Sequence, residues 1–287
     1  MLRAAALVVA GLASAVAAPL AGAATADRAA AERGAAWLAR NSAGVPGGQQ
    51  ADTIVALRSA GRSRAVLAPR LNALARVAPA YAVTAGGAAK VALAAIAGGR
   101  NPRRLGGVDY LRRITNRYAA GRYGENAFDQ GLSMLALSAA GAKVPPTAVR
   151  ATLAARAGGG WGYTMSRTAR DSVDATSSVI EGLRAAGVPA SHPALRAAAT
   201  WILAQRNTAG GLASDGGGRP TDANSTASAI RALRALGRTP PPATRAALRG
   251  LQDADGGFRF TPAATGSRLL ATNDAVPALM GVVLPVR

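Results

Sequence analysis

Six glycines close six Ala/Leu-rich segments at nearly even intervals along this chain of 287 residues. They are Gly61, Gly98, Gly141, Gly187, Gly237 and Gly281, separated by 37, 43, 46, 50 and 44 residues. The words before several of them are near-copies, as in Leu135-Ala136-Leu137-Ser138-Ala139-Ala140, Gly182-Leu183-Arg184-Ala185-Ala186 and Ala232-Leu233-Arg234-Ala235-Leu236. A period of this length means one supersecondary unit stacked on copies of itself, so architecture is constrained before any motif is considered.

Each unit reads as two helices joined by a glycine-rich turn. In the fifth, 193–205 places Leu195, Ala198, Ala199 and Ile202 on one face and opens with Pro193, where a first-turn proline is tolerated. Gly210-Gly211 breaks it, and a second helix over 221–236 carries a stripe of Thr226, Ile230, Leu233 and Leu236 ended by Gly237. The fourth unit repeats the plan over 147–156 and 172–186 around Gly158-Gly159-Gly160-Trp161-Gly162-Tyr163, and the sixth over 243–252 and 267–280. Gly47-Gly48 and Gly121-Arg122-Tyr123-Gly124 serve as turns of the first and third units, and the second has only Gly86-Gly87, inside its second helix. The second helices are richer in small and apolar residues, as expected of an inner layer, whereas first helices carry more arginine. Six units and no polar capping unit favour an all-α closed toroid, an α6/α6 barrel, over an open superhelix.

Ahead of the repeats, Met1-Leu2-Arg3 and an uncharged apolar stretch over 4–20 lead to small-residue sites at Ala21-Gly22-Ala23 or Ala24-Thr25-Ala26. This pattern predicts a signal peptide over 1–26, the toroid over 27–287, and a secreted or cell-envelope protein soluble after cleavage. A retained membrane anchor is the alternative. The chain has no cysteine, which excludes disulfides. Its net charge of +20 is carried by 34 basic residues, all arginine except Lys90 and Lys143. They are spread through every unit rather than gathered on one face, so nucleic acid is not the expected partner. An anionic envelope polymer remains one candidate partner. The chain is expected to be a monomer.

The segments Trp201…Gln205…Gly210-Gly211, Gln252-Asp253-Ala254-Asp255-Gly256-Gly257-Phe258 and Gly159-Gly160-Trp161-Gly162-Tyr163 resemble the Gln-Trp type repeats of the squalene cyclase and protein prenyltransferase toroids. Asn126-Ala127-Phe128-Asp129-Gln130, Asp222-Ala223-Asn224-Ser225-Thr226-Ala227 and Thr272-Asn273-Asp274-Ala275 are similar to exported bacterial members of that group. The resemblance implies an α/α toroid over essentially the whole chain after the leader, and leaves activity open between enzyme, vitamin-B12-type carrier and scaffold. A prenyltransferase zinc site would need Asp, Cys and His, and this chain has no cysteine and one histidine, His192, so neither metal nor cofactor is expected.

In the cyclases the acid is the middle aspartate of Asp-Val-Asp-Asp-Thr. The matching stretch is Ser172-Val173-Asp174-Ala175-Thr176, which keeps Asp174 and Thr176 and replaces both flanking aspartates. Asp171 and Asp174 are therefore the candidate catalytic residues, with Asp171 expected near enough to help Asp174 hold a proton. Two features oppose full cyclase chemistry: aromatic content is only 4%, and the cyclases are two-toroid proteins more than twice this length. Asp129, Asp174 and Asn224 also fit helix-capping roles, since all fall in the first turn of a second helix. Candidate ligand-binding residues are Tyr123, Asp129, Trp161, Tyr163, Asp222, Asn224, Phe258 and Asn273. If the inner helices run parallel, the aspartates gather at one rim, and Arg58, Arg184 and Arg234 at the other. The leading expectation is a toroid that binds a small or isoprenoid-like ligand in its centre without metal. The alternatives are an isomerase-like or cyclase-like enzyme using Asp174, and an envelope-polymer scaffold. A glycosidase would need a carboxylate pair that no spacing singles out.

Overall fold

The structure, a computed structural model, describes residues 14–286, with side chains described from Ala24 onward. Twelve helices are present among the described residues. Six form an inner ring: α2 (Gly47–Ser59), α4 (Ala85–Ala97), α6 (Ala127–Ala139), α8 (Val173–Ala185), α10 (Ala223–Ala235) and α12 (Arg268–Met280). Six lie outside it: α1 (Ser14–Asn41), α3 (Arg64–Tyr81), α5 (Tyr110–Thr115), α7 (Pro146–Ala154), α9 (Pro193–Ala204) and α11 (Pro242–Arg249). Each inner helix packs on the next, and α12 packs on α2, so the ring closes. The expected α/α toroid is what the chain forms. The leader expected over 1–26 falls partly outside the described residues; from Ser14 the backbone is helical and continuous with the rest of α1.

All six inner helices are 13 residues long. Five begin on a polar cap whose side chain accepts a backbone N–H: Thr84, Asn126, Ser172, Asp222 and Ser267. Three outer helices begin instead with proline at their first turn, α7, α9 and α11, and His192 caps α9 by accepting from Ala194 through Nδ1. Gly61, Gly141, Gly187, Gly237 and Gly281 adopt φ between 69° and 91°, the left-handed turn that ends a helix at little cost for glycine. In the second unit that role passes to Gly99 (φ 73°), because Gly98 is still the helical cap at φ −86°. Gly47 and Gly48 are not a turn but the first residues of α2, packed beneath the Tyr81 ring.

In the last four units the loop after the outer helix is bound to the inner helix that follows it. The Thr176 hydroxyl accepts from Trp161 N at 2.9 Å and donates to Trp161 O at 3.1 Å, and Thr226 grips Leu212 in the same way at 3.0 and 3.1 Å. Thr272 accepts from Phe258 N, and Gln130 accepts from Tyr123 N at the corresponding place. The same loops reach back to cap the preceding inner helix: Ala127 N donates to Tyr163 O, Val173 N to Ser214 O and Ala223 N to Phe260 O.

The seam between last and first units is held by a buried cluster. Asp27, 3% exposed, pairs with Arg245 and Arg249, and the Trp37 indole N–H donates to Asp255 at 3.1 Å. Between the inner helices at the seam, Thr53 donates to Asn273 at 3.1 Å.

The closest approach within the ring is α6 against α8, where glycine meets glycine. A Cβ on Gly182 would lie 2.6 Å from Gly131 O and 2.8 Å from Gly131 Cα. Gly182→Ala gains up to ~1 kcal/mol of helix propensity. The clash is with backbone, which cannot move aside as a side chain would, and overpacking of this kind costs about 1–3 kcal/mol. The variant is expected to be less stable than the parent in urea unfolding. Unchanged stability would show that the two helices are not in this contact.

Candidate functional site

The centre of the ring is a cavity of about 320 Å³. Its walls follow from helical spacing. On α8 the lining residues are Asp174, Ser178 and Glu181, and on α10 Asn224, Ser228 and Arg231, both at i, i+4, i+7. The other inner helices supply Asp52 and Val55, Lys90 and Leu93, Phe128 and Leu132, and Leu270, Asn273, Asp274 and Pro277. Because the helices are equally long and parallel, these residues form layers. Phe128, Asp174, Asn224 and Leu270 ring the N-terminal mouth, and Leu284, beyond α12, lines the cavity as well.

Four carboxylates and two cations among these residues give the lining a formal charge of −2 inside a chain of +20. Three of the carboxylates are ion-paired, two of them sharing one cation. Lys90 donates to Asp52 at 2.7 Å, and Arg231 bridges Glu181 at 3.3 Å and Asp274 at 3.2 Å. Burial works against the charge on Arg231, but Glu181 and Asp274 outweigh it and hold the guanidinium protonated. Asn224 donates to Asp274 at 2.7 Å. Burial raises the carboxyl of Asp52 and Glu181, with Lys90 and Arg231 acting in opposition.

Asp174 differs from the other three. Among the described residues it has no cation in ion-pair contact; its partners are hydroxyls, with Ser228 donating at 3.2 Å and Ser225 and Ser214 also hydrogen-bonding to it. Burial raises its proton affinity, the serines oppose this, and the charge of Asp274 adds to it. The neighbouring carboxylate is thus Asp274 across the cavity rather than Asp171. Asp171 accepts from Gly160 N at 3.0 Å and lies in a bridge with Gly162, committed to holding the turn.

The remaining expected site residues divide by location. Asn224 and Asn273 line the cavity with Asp174. Asp129 accepts from Gly86 N at 2.8 Å and from Asn126, tying α6 to the start of α4. Asp222 caps α10, accepting from Ser225 N, Ser225 Oγ and Ser214 N. Tyr163 stands outside the mouth, 57% exposed, its ring 6.0 Å from that of Phe128. Tyr123, Trp161 and Phe258 are fully buried between the two helical layers and do not reach the cavity; the Trp161 indole donates to Thr152 O at 2.7 Å. Thr176, kept in the motif, is the clamp on Trp161. At the other rim, Arg184 donates to Ala235 O at 2.9 Å and Arg58 to Arg62 O, so these two bond helix-end carbonyls.

Asp52, Lys90, Phe128, Ser178, Glu181, Ser228, Arg231 and Asp274 are the lining residues that motif reasoning passes over. The i, i+4, i+7 continuation from Asp174 and Asn224 finds Ser178, Glu181, Ser228 and Arg231; the others require knowing how the inner helices neighbour one another. Among the described residues no group of three His, Cys, Asp or Glu side chains is arranged to hold a metal ion. No described helix is long and apolar enough to cross a membrane.

No protein-family model and no curated protein matches the chain. Solved structures do. A variant of the type II terpene cyclase MstE from Scytonema, in complex with geranylgeranyl dihydroxybenzoate, is 13% identical with a TM-score of 0.60, over 91% of this chain and 98% of that one. The same cyclase without ligand gives 13% and 0.59 over 90% and 98%. An ent-copalyl diphosphate synthase from Streptomyces platensis gives 17% and 0.52, over 82% of this chain and 50% of that one. The fold is therefore the α/α toroid that these cyclases also adopt. Nearly the whole MstE chain is covered by this one, whereas only half of the ent-copalyl diphosphate synthase is, so length alone does not set this chain apart from every cyclase of the fold.

The geometry around Asp222 has a measurable consequence. Burial, with Asp174 adding to it, pushes the Asp222 carboxyl up to about 6. Because the folded state then holds a proton that the unfolded chain has released, Asp222 contributes stability that declines as pH rises from about 4 to about 6. Carbon-13 NMR of the Asp222 carboxyl is expected to show a midpoint near pH 6, shifted downward in Asp174→Asn. A midpoint near pH 4 would mean that Asp222 is open to solvent.

Proposed function

We propose that the protein is an exported toroid that holds a small amphiphilic ligand at its centre. The apolar part lies against Val55, Leu93, Phe128 and Leu132, and a polar head meets Asp174. The observation that carries this reading is that, among the described residues, Asp174 is the lining carboxylate without a cation in ion-pair contact, while facing a cavity whose other acids are paired. A half-buried carboxyl supported by serines and left without a counter-ion is suited to a ligand's hydroxyl or ammonium group. The cavity is at the small end of the ~300–1,000 Å³ typical of ligand pockets. Export rests on the leader pattern; Ala24, Thr25 and Ala26 are exposed and Asp27, just after the expected cut, is buried.

A second reading is supported by one further observation. Asp174 takes the place of the cyclase acid, burial favours its protonated form, and the structural neighbours named above are terpene cyclases. In this reading Asp174 donates a proton to a bound isoprenoid-like substrate. Against cyclisation of a long polyene, the described lining includes the cations Lys90 and Arg231, and Phe128 as its one aromatic ring. Binding without turnover is the reading we adopt.

Native mass spectrometry of the exported protein, compared with Asp174→Asn and with a cavity-filling Leu132→Trp, separates these. A held ligand is expected to be absent from Leu132→Trp and bound at least ~10-fold more weakly by Asp174→Asn, a difference of about 1.4 kcal/mol. A catalytic acid would instead leave substrate bound and unconverted in Asp174→Asn. Ligand retained equally by all three proteins would overturn central binding.

A further inference from the structure

A second cavity, of about 190 Å³, lies away from the centre, at the C-terminal ends of α10 and α12 where α1 and α11 cover them. Arg28, Arg234 and Arg245 line it together with Asp27, Leu279 and Met280, so its described lining has a formal charge of +2. We propose that this cavity is a binding site for a small oxyanion, with Arg234 and Arg245 as its principal donors.

The repeat sets Arg234 apart from Arg184. Arg58, Arg184 and Arg234 each stand three residues before a repeat glycine. Arg184 spends its guanidinium on Ala235 O and Val188 O. Arg234 in the same position faces Gly281, and its buried Nε has no hydrogen-bond partner. The guanidinium lies 3.4 Å from where a Cβ on Gly281 would stand, in ordinary van der Waals contact with that turn.

Arg245 is the second, independent observation. It is 5% exposed, directs one terminal nitrogen to Asp27, and also leaves its buried Nε without a partner. Asp27 does not compete for these donors, because its two oxygens are already taken by Arg245 and Arg249. Two buried guanidinium N–H groups without acceptors, beside a third arginine, suit a group that offers several oxygens at once. Guanidinium forks match phosphate and carboxylate geometry better than a spherical halide. Leu279 and Met280 supply apolar wall, so a small phosphorylated or carboxylated molecule fits as well as the bare ion.

The test is a titration of the full chain with inorganic phosphate at ionic strength held constant by chloride, followed through the arginine Nε–Hε resonances in nitrogen-15 NMR. Saturable shifts of Arg234 and Arg245 in the millimolar range or below, with one phosphate per chain, are expected. Arg234→Gln should weaken binding at least ~10-fold while leaving the thermal midpoint near that of the parent, since no hydrogen bond is lost. Asp174→Asn should not change it, which keeps the outcome separate from that of the central cavity. No saturable shift, or binding unaltered by Arg234→Gln, overturns the proposal. A soluble phosphodiester polymer provides a further arm: if the polymer binds and inorganic phosphate does not, the recognition belongs to the outer arginines and the cavity is not an anion site.

Discussion

The structure depends on one repeated contact, the grip of an inner-helix hydroxyl on the backbone of the loop before it. At Thr176 and Thr226 a single side chain satisfies both the N–H and the C=O of a buried loop residue. Such groups would otherwise be costly to bury, at about 1–3 kcal/mol each. The clamp also fixes the rotation of the inner helix about its axis. With Thr176 turned outward to Trp161, the residues at 174, 178 and 181 must face inward, and the same holds for 224, 228 and 231 beside Thr226. The chemistry of the centre is thus set by a contact on the opposite side of the helix. Thr176, which the cyclase motif places beside the acid, here orients that acid without touching the cavity.

The interior has a different electrostatic character from the surface. Arginines dominate the outside and the chain as a whole, whereas the core of the ring is acidic by two formal charges. Burial of so many ionisable groups is helped by ion pairs around Lys90 and Arg231, which engage three of the four carboxylates. Arg231 belongs to α10, Glu181 to α8 and Asp274 to α12, so this network also joins three inner helices through their inward faces. What it leaves over is Asp174 at the mouth. Within the same cavity the paired charges join neighbouring inner helices, while Asp174 has no cation in ion-pair contact among the described residues.

Much of the architecture was legible in the sequence because it rests on backbone rules. Glycines in left-handed turns, prolines at outer-helix starts and polar caps at inner-helix starts are local signals, and they survive into the structure almost unchanged. The displaced turn in the second unit shows the limit, since Gly98-Gly99 offers two glycines and only packing against Leu71 decides which remains helical. The site was less legible. Trp161, Tyr123 and Phe258 have the composition of a ligand platform, yet apolar burial between the two layers claims them, because an alanine-rich chain has few bulky residues to fill that space. Asp129, Asp171 and Asp222 are drawn to backbone N–H groups. Asp52 and Lys90 carry no motif at all. Their pairing requires knowing that α2 and α4 are neighbours with the same register.

The backward reach of the loops bears on how such a chain can change over time. Tyr163, Ser214 and Phe260 each lend a carbonyl to the helix of the unit before their own, so the third, fourth and fifth links are clasped by their successors. Removing or inserting one unit would therefore leave a helix start unclasped and a ring of the wrong circumference. An open solenoid can lengthen by a copy at either end. Here variation is confined to substituting residues within a fixed number of links, one inward-facing position at a time.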